Sequence, residues 1–170
     1  MKSKARAVVI GGGVVGVSTL YHLAAKGWDD SILLERKSLT SGSTWHAAGL
    51  LPLFNMSYSV GQIHKYSVRF YQELQDETGM DVGFRKVSNI RLASTQDRMD
   101  EYLQYKGVAD TIGVEVNVLS PQEIKDCWPL VSTENLIGAI QHPEDGYIQP
   151  ADLTQACLLY TSDAADERNS

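Results

Sequence analysis

Several things are scarce in this chain, and each scarcity closes off a class of function. Only two cysteines occur, Cys127 and Cys157, with neither metal-ligand spacing nor a disulfide framework. A reducing, cytoplasmic setting is the expectation. No apolar run approaches the ~20 residues that span a bilayer. The basic start Met1-Lys2-Ser3-Lys4-Ala5-Arg6 leads directly into Ala7-Val8-Val9-Ile10 without a separate apolar signal core, so no secretory signal is read. Basic residues are outnumbered 15 to 21, for a net charge of −6. That balance argues against a nucleic-acid partner, which would call for a basic surface. Of the four histidines, no pair is spaced with a carboxylate as metal ligands would be. No metal site is expected.

What is present alternates short strands and helices. Residues 6–10 are β-branched and apolar, the composition of a buried parallel strand. Residues 14–26 carry Val17, Leu20, Tyr21 and Ala24 at helical spacing, with Gly27 as the stop. Residues 31–35 give a second strand, completing a βαβ unit of about the usual ~30 residues. Residues 38–52, rich in Ser, Gly and Thr, form a loop or a loop leading into a short helix. A helix over 62–78 places Ile63, Ser67, Phe70 and Leu74 inward. Beyond it come a strand over 87–93, a helix over 95–112 and a strand over 114–119. Ser120-Pro121-Gln122-Glu123 is a capping box with proline at the first helical position, and that helix stops before Pro129. A strand over 136–140, a turn at Glu144-Asp145-Gly146 and a helix from about Pro150 close the chain. The class is α/β, with a Rossmann-like start on a parallel sheet.

Gly11-Gly12-Gly13-Val14-Val15-Gly16 satisfies G-x-G-x-x-G between the first strand and helix. Gly11 permits the tight turn, Gly13 lets backbone approach a pyrophosphate, and Gly16 lets helix and strand pack closely. Val14 and Val15 begin the helix, whose free N–H groups and positive dipole end suit phosphates. Glu35 ends the second strand at the place where a carboxylate accepts from adenosine ribose hydroxyls, with Arg36 beside it. This pattern indicates a dinucleotide and does not choose between FAD and NAD.

The segment after Glu35 makes that choice. Thr40-Ser41-Gly42-Ser43-Thr44 offers hydroxyls and close backbone, and Trp45 and His46 follow. Leu34-Glu35-Arg36, Leu39 through Leu50 (with Thr44-Trp45-His46-Ala47-Ala48-Gly49 at its centre), Asp76-Glu77-Thr78-Gly79, Arg91-Leu92-Ala93-Ser94 and Asp145-Gly146-Tyr147-Ile148-Gln149-Pro150 resemble the N-terminal part of the dimethylglycine and sarcosine dehydrogenase family, among the D-amino-acid-oxidase-like flavoproteins.

The resemblance implies an FAD-binding domain with part of an α+β substrate-side insertion, and cofactor contacts from Gly11, Gly13, Val14, Val15, Gly16, Glu35, Arg36, Gly42, Ser43, Thr44, Trp45, His46, Ala47, Ala48, Gly49 and Leu50. It further implies covalent attachment of the flavin through His46. The chemistry is reasonable, because a neutral imidazole nitrogen is a good nucleophile toward the flavin 8α-methyl group. The implied reaction is hydride transfer from an N-methyl carbon of dimethylglycine, sarcosine or a relative to flavin. The resulting iminium releases formaldehyde or passes its carbon to tetrahydrofolate, a step assigned to a C-terminal region beyond this sequence. No residue here is assigned as acid, base or substrate clamp, and the electron acceptor is left open.

Three other readings remain at this point: a flavoprotein for another amino acid or amine, an NAD-dependent dehydrogenase, and a catalytically incomplete dinucleotide-binding piece. His142, next to Pro143, reads as a turn residue, and Cys127 as a small buried hydrophobe. Residues 158–170 resemble a translated sequencing adapter. The expected division is therefore 1–157 as the N-terminal part of an FAD-dependent oxidoreductase domain and 158–170 as a non-native tail.

Overall fold

The computed structural model describes residues 4–167, with side chains described as far as residue 161. Met1 to Ser3 of the basic start and the last three residues of the expected tail lie outside the described residues. In chain order the elements are β1 (Ala7–Ile10), α1 (Val14–Ala25), β2 (Ser31–Leu34), α2 (Ser43–His46), β3 (Leu50–Leu51), α3 (Tyr58–Thr78), β4 (Arg85–Lys86), β5 (Asn89–Ala93), α4 (Gln96–Ile112), β6 (Asn117–Leu119), α5 (Pro121–Cys127), β7 (Gly138–His142), β8 (Gly146–Tyr147) and α6 (Pro150–Glu167). They divide into two compact units, one of Met1–Gly49, Tyr71–Phe84 and Ile148–Ser170, the other of Leu50–Phe70 and Arg85–Tyr147.

In the first unit β1 and β2 pair in parallel, from Ala7 opposite Ser31 to Ile10 opposite Leu34. Parallel neighbours need a crossover, and α1 supplies it. Val17 and Tyr21 are the buried positions of α1. The helix packs against α6, which buries Leu153, Ala156 and Cys157, and the Tyr21 and Tyr160 rings lie 4.6 Å apart. Tyr21 donates its hydroxyl to Glu77 at 3.1 Å. Burial, reinforced by that carboxylate, pushes the Tyr21 hydroxyl well above the usual phenol range. Burial likewise pushes the Cys157 thiol up to about 12. One sheet face departs from expectation. Val8, Ile10 and Leu34 are 53%, 85% and 53% exposed, so β1 and β2 bury one face rather than two. The final helix continues past Ala156 to Glu167, through most of the segment expected as a tail.

In the second unit β7 is the central strand, antiparallel to β5 on one side and to β6 on the other. The register sets Arg91 opposite Ile140 and Asn89 opposite His142. Tyr102, Tyr105, Ala109 and Ile112 of α4 join Leu53, Ala93, Val114, Val116 and Ile140 in the core. Thr95 caps α4 and left-handed Gly113 ends it. The expected capping box opens α5: Glu123 accepts from the Ser120 amide at 2.7 Å, and the Ser120 hydroxyl accepts from the Glu123 amide at 3.3 Å. A second sheet, β3-β8-β4, is built from two-residue strands too short to leave a sequence pattern.

Helix α3 begins at Tyr58, ahead of the expected 62, and Ile63 is 63% exposed rather than inward. Phe70 and Leu74 are buried as expected. In the first half of the helix the contact position is Gly61, where an added Cβ would come within 2.4 Å of Ile112 Cδ1. A glycine buried in a helix for close approach is invisible to a hydrophobic stripe. Cys127, expected as a small buried hydrophobe, is exposed.

Candidate cofactor site

The β1–α1 turn is shaped by what its residues lack. Gly11 sits at φ +115°, a conformation that side chains disfavour. An ideal Cβ on Gly16 would lie 2.0 Å from the Gly11 carbonyl oxygen and 3.4 Å from Val9 Cγ1, so the third glycine seats the helix against the strand as expected. At Gly11 an added Cβ would meet nothing within 4 Å, which leaves the turn's outer side open for a ligand's backbone approach.

Gly13 is the N-cap of α1 and supplies no side-chain cap. Thr44 fills that role from α2: its buried hydroxyl oxygen accepts from the Val14 amide at 2.9 Å. The glycine motif assigns that amide to phosphate, and the family resemblance implies cofactor contact from Thr44. The structure ties the two to each other, 30 residues apart. Val15, also expected at the cofactor, has its side chain 78% exposed.

Glu35 holds the turn from its other side. Its carboxylate accepts from the Gly12 amide at 2.7 Å and from the Lys37 amide at 2.7 Å. The Gly12 amide first, then that of Lys37, holds the Glu35 carboxyl below the usual range. Glu35, expected at the ribose, has its carboxylate turned onto these two amides, with Arg36 and Lys37 exposed next to it.

Gly12 is the residue that motif reasoning passes over. Its amide donates to Glu35, its carbonyl accepts from the Thr40 amide at 2.9 Å, and an added Cβ would fall 2.6 Å from Leu39 Cδ2. The sequence does carry a signal for it, since three consecutive glycines exceed what the motif requires.

The segment after Glu35 turns at Thr40, which adopts a positive φ of 64°. The Thr40 carbonyl accepts from the Trp45 amide at 3.1 Å, closing the loop onto α2. Gly42, Ser43, Trp45, His46, Ala47 and Ala48 are all exposed. Gly49 is pinned instead: its carbonyl accepts from the Ile148 amide at 2.9 Å, and an added Cβ would lie 2.0 Å from the Ile148 oxygen. Leu50 opens β3 in the second unit, opposite Tyr147, and is 70% exposed.

His46 has a defined hydrogen-bond setting. Its Nδ1 lies 2.9 Å from the Gly42 carbonyl oxygen, and its Nε2 accepts from the Trp45 indole N–H at 3.2 Å. The two rings meet edge to face at 5.6 Å. These residues fit a flavin dinucleotide: a glycine turn open on one side, an ionised carboxylate at the end of β2, and an exposed imidazole downstream.

A second concentration of titratable groups lies in the second unit. Tyr105 donates to the Leu53 carbonyl at 3.2 Å and stands 3.0 Å from His142 Nε2. Asp145 Oδ1 accepts from the Leu53 amide at 2.8 Å, while its main-chain carbonyl accepts from the Val87 and Ser88 amides. The Arg91 guanidinium lies over the Phe54 ring at 4.2 Å. Burial, then Arg91, lowers His142 to about 4, and burial raises Asp145 to about 6 against the opposing Leu53 bond and Arg91. His142, expected as a turn residue beside Pro143, is instead the fully buried last residue of β7. Among the described residues, no cluster of His, Cys, Asp or Glu is placed to hold a metal, and no helix is long and apolar enough to cross a membrane.

The family model "FAD dependent oxidoreductase" (DAO) matches residues 6–164, and the chain belongs to that family. Over 155 residues the chain is 41% identical to mitochondrial dimethylglycine dehydrogenase of Rattus norvegicus, covering 91% of this chain and 18% of that protein. It is 41% identical over 152 residues to mitochondrial sarcosine dehydrogenase of Homo sapiens, covering 89% of this chain and 17% of that one. The chain therefore spans less than a fifth of the length of these relatives. The crystal structure of L-proline dehydrogenase from P. horikoshii superimposes with a TM-score of 0.87 at 24% identity, over 96% of this chain and 43% of that one, a likeness of fold.

Proposed function

We propose that this chain is the flavin-holding N-terminal part of an enzyme that oxidises the C–N bond of an N-methylated amino acid of the dimethylglycine or sarcosine type. The observation that carries the reading is the pairing of the glycine turn with His46. The imidazole is exposed, downstream of an ionised Glu35 and held by Gly42 and Trp45. The identity to the dimethylglycine and sarcosine dehydrogenases supports the substrate class.

In this reading the flavin, when bound, accepts the hydride taken from the N-methyl carbon. The chain's own share is to position that cofactor. Gly11, Gly13, Gly16 and the start of α1 at Val14 and Val15 receive its pyrophosphate. Glu35, beside Arg36, receives the adenosine ribose. The loop from Gly42 through Ser43, Thr44, Trp45, His46, Ala47, Ala48 and Gly49 to Leu50 follows the dinucleotide, with His46 as the point of covalent attachment. Residues 1–157 form this domain portion, and 158–170 are the non-native tail. Any tetrahydrofolate site belongs to sequence beyond this chain. A reducing, cytoplasmic compartment suits the two free cysteines.

The test uses the complete protein encoded by the gene. Its absorbance should show flavin that bleaches anaerobically with dimethylglycine or sarcosine, and that stays with the polypeptide after acid precipitation. His46→Ala should release the flavin on precipitation. A protein that stays oxidised with every N-methyl amino acid and bleaches with another amine would move the substrate class. A label that survives His46→Ala would move the attachment point.

A further inference from the structure

The hydrogen bonds around His46 specify its chemistry more closely than attachment alone requires, and Trp45 is the residue that completes them. A carbonyl oxygen can only accept, so the 2.9 Å contact to Gly42 requires a hydrogen on His46 Nδ1. An indole N–H can only donate, so the 3.2 Å contact from Trp45 requires a bare Nε2 with its lone pair toward the indole. Together the two contacts define one neutral tautomer. The Gly42 contact alone leaves open whether Nε2 also carries a hydrogen, and the Trp45 contact requires that nitrogen to be bare.

Within the described residues the indole joins no core. Trp45 is 67% exposed, and Thr44 is the buried side chain of α2. The indole's one polar atom is spent on the neighbouring imidazole. The exposure also lets the indole swing off the nitrogen without disturbing a core.

We propose that Trp45 is a positioning residue for covalent flavin attachment: its indole N–H holds His46 with Nε2 as the bare nucleophile and yields that nitrogen to the incoming flavin. The inference rests on the proposed attachment through His46. The bond made is Nε2 to the flavin 8α carbon. One methyl hydrogen and the Nδ1 hydrogen leave as protons, and two electrons pass through the flavin to dioxygen, so the net products are the linked flavin and hydrogen peroxide. Trp45 takes no part in the bond change itself.

The experiment uses the complete protein, prepared as apoprotein from riboflavin-starved cells and then given FAD in air. Three readouts separate the steps: FAD affinity at the earliest times, the rate at which flavin becomes acid-stable, and imidazole 15N shifts of the apoprotein, which distinguish a protonated from a bare ring nitrogen. Trp45→Phe keeps an aromatic ring and removes the donor, while Trp45→Ala removes both. Compared at saturating FAD, so that any change in affinity is read apart from the rate, both variants should label about tenfold more slowly or worse and lose the distinct Nδ1-protonated pattern. Labelling of Trp45→Phe at the unaltered rate would overturn the proposal, as would a slowed Trp45→Phe whose 15N pattern is unchanged. A slow Trp45→Ala beside a normal Trp45→Phe would assign the effect to the ring rather than its N–H, and would overturn it too. Absence of acid-stable flavin in the unaltered protein, or its persistence in His46→Ala, would strike the attachment reading itself, and with it this inference. The apoprotein 15N pattern still reports on the Trp45–His46 contact in that case.

Discussion

At the β1–α1 turn the chain keeps side chains out, and around the end of β7 it crowds four ionisable ones in. The turn depends on Gly16 leaving room for the Gly11 carbonyl, on Gly12 leaving room for the Leu39 and Glu35 side chains, and on Gly11 leaving its outer side open. The second unit places Arg91, Tyr105, His142 and Asp145 about a partly apolar centre with Leu53 and Phe54. The two designs respond differently to change. A turn shaped by absent Cβ atoms fails when one atom is added, and its failure is felt by the ligand as well as in stability. A centre shaped by polar side chains fails when one atom is removed, and its failure is felt as stability, because a buried group without a partner is costly.

The contrast is broken most strongly at Gly16. Gly16→Ala puts a Cβ 2.0 Å from the Gly11 oxygen, a backbone atom that cannot step aside without moving β1 or α1. The expected outcome is loss of flavin retention and a stability cost of ~3 kcal/mol or more, read by the absorbance of purified protein and by thermal melting. Gly107→Ala, in the middle of α4 and away from the turn, is the control, because an added Cβ there meets nothing within 4 Å. It should retain flavin and melt nearly as the unaltered protein does. If both variants lose flavin alike, the turn's steric account is wrong.

Removal rather than addition tests the other region. Tyr105→Phe deletes one oxygen and leaves the Leu53 carbonyl and His142 Nε2 without the partner each now has. A loss of about 1–3 kcal/mol is expected, with the flavin still bound.

The same region carries a pH signature that the turn does not. His142, lowered to about 4, contributes stability that is present above its ordinary value of 6.5 and lost as pH falls through about 4. Asp145, raised to about 6, does the reverse: its contribution is full below its ordinary value of 3.8 and is lost as pH rises through about 6. Between pH 4 and 6 the two slopes oppose each other, each at most about 1.4 kcal/mol per pH unit. Asp145→Asn should therefore expose a protein that weakens on acidification below pH 6.5. His142→Asn should expose one that strengthens over the same range. Parallel melting curves for the two variants across pH 4–7 would remove the basis for treating them as a pair.

The two regions are unequally legible in the sequence. The turn is readable because its determinants are close along the chain: Gly11 and Gly16 are five residues apart, and Glu35 directly follows the very next strand. The fold class follows from the same local patterns, and so does the capping box at Ser120. The polar centre is not readable, because Leu53, Arg91, Tyr105, His142 and Asp145 are drawn from segments that meet only through β5–β7 pairing and the packing of α4. Taken singly, His142 beside a proline and Tyr105 in a helix carry no signal. Ile63 misleads for a related reason, since the inward face of α3 there is set by Gly61 against Ile112, and periodicity gives a glycine no weight. His46 lies between these extremes. Its importance is legible through the motif around it, whereas its bond to Trp45 is a matter of side-chain geometry alone.

Thr44 joins the two modes and gives the smallest predicted effect. It belongs to the turn by location, yet it works as the second region does, through a side-chain atom supplied from a distance. Its hydroxyl oxygen accepts from the Val14 amide and so caps a helix whose own N-cap, Gly13, has no side chain to offer. Thr44→Val preserves shape and removes only the acceptor, which for an N-cap costs about 1 kcal/mol. Thr44→Ser keeps the oxygen and should recover most of that loss. The flavin is the more telling readout. With the hydroxyl gone, the Val14 amide is released at the positive end of the α1 dipole, where an anion is favoured. Thr44→Val is therefore expected to melt lower without flavin while losing much less of its melting temperature once flavin is bound. An equal loss in both states would mean that the Val14 amide never turns to the cofactor, and that Thr44 is a cap and nothing more.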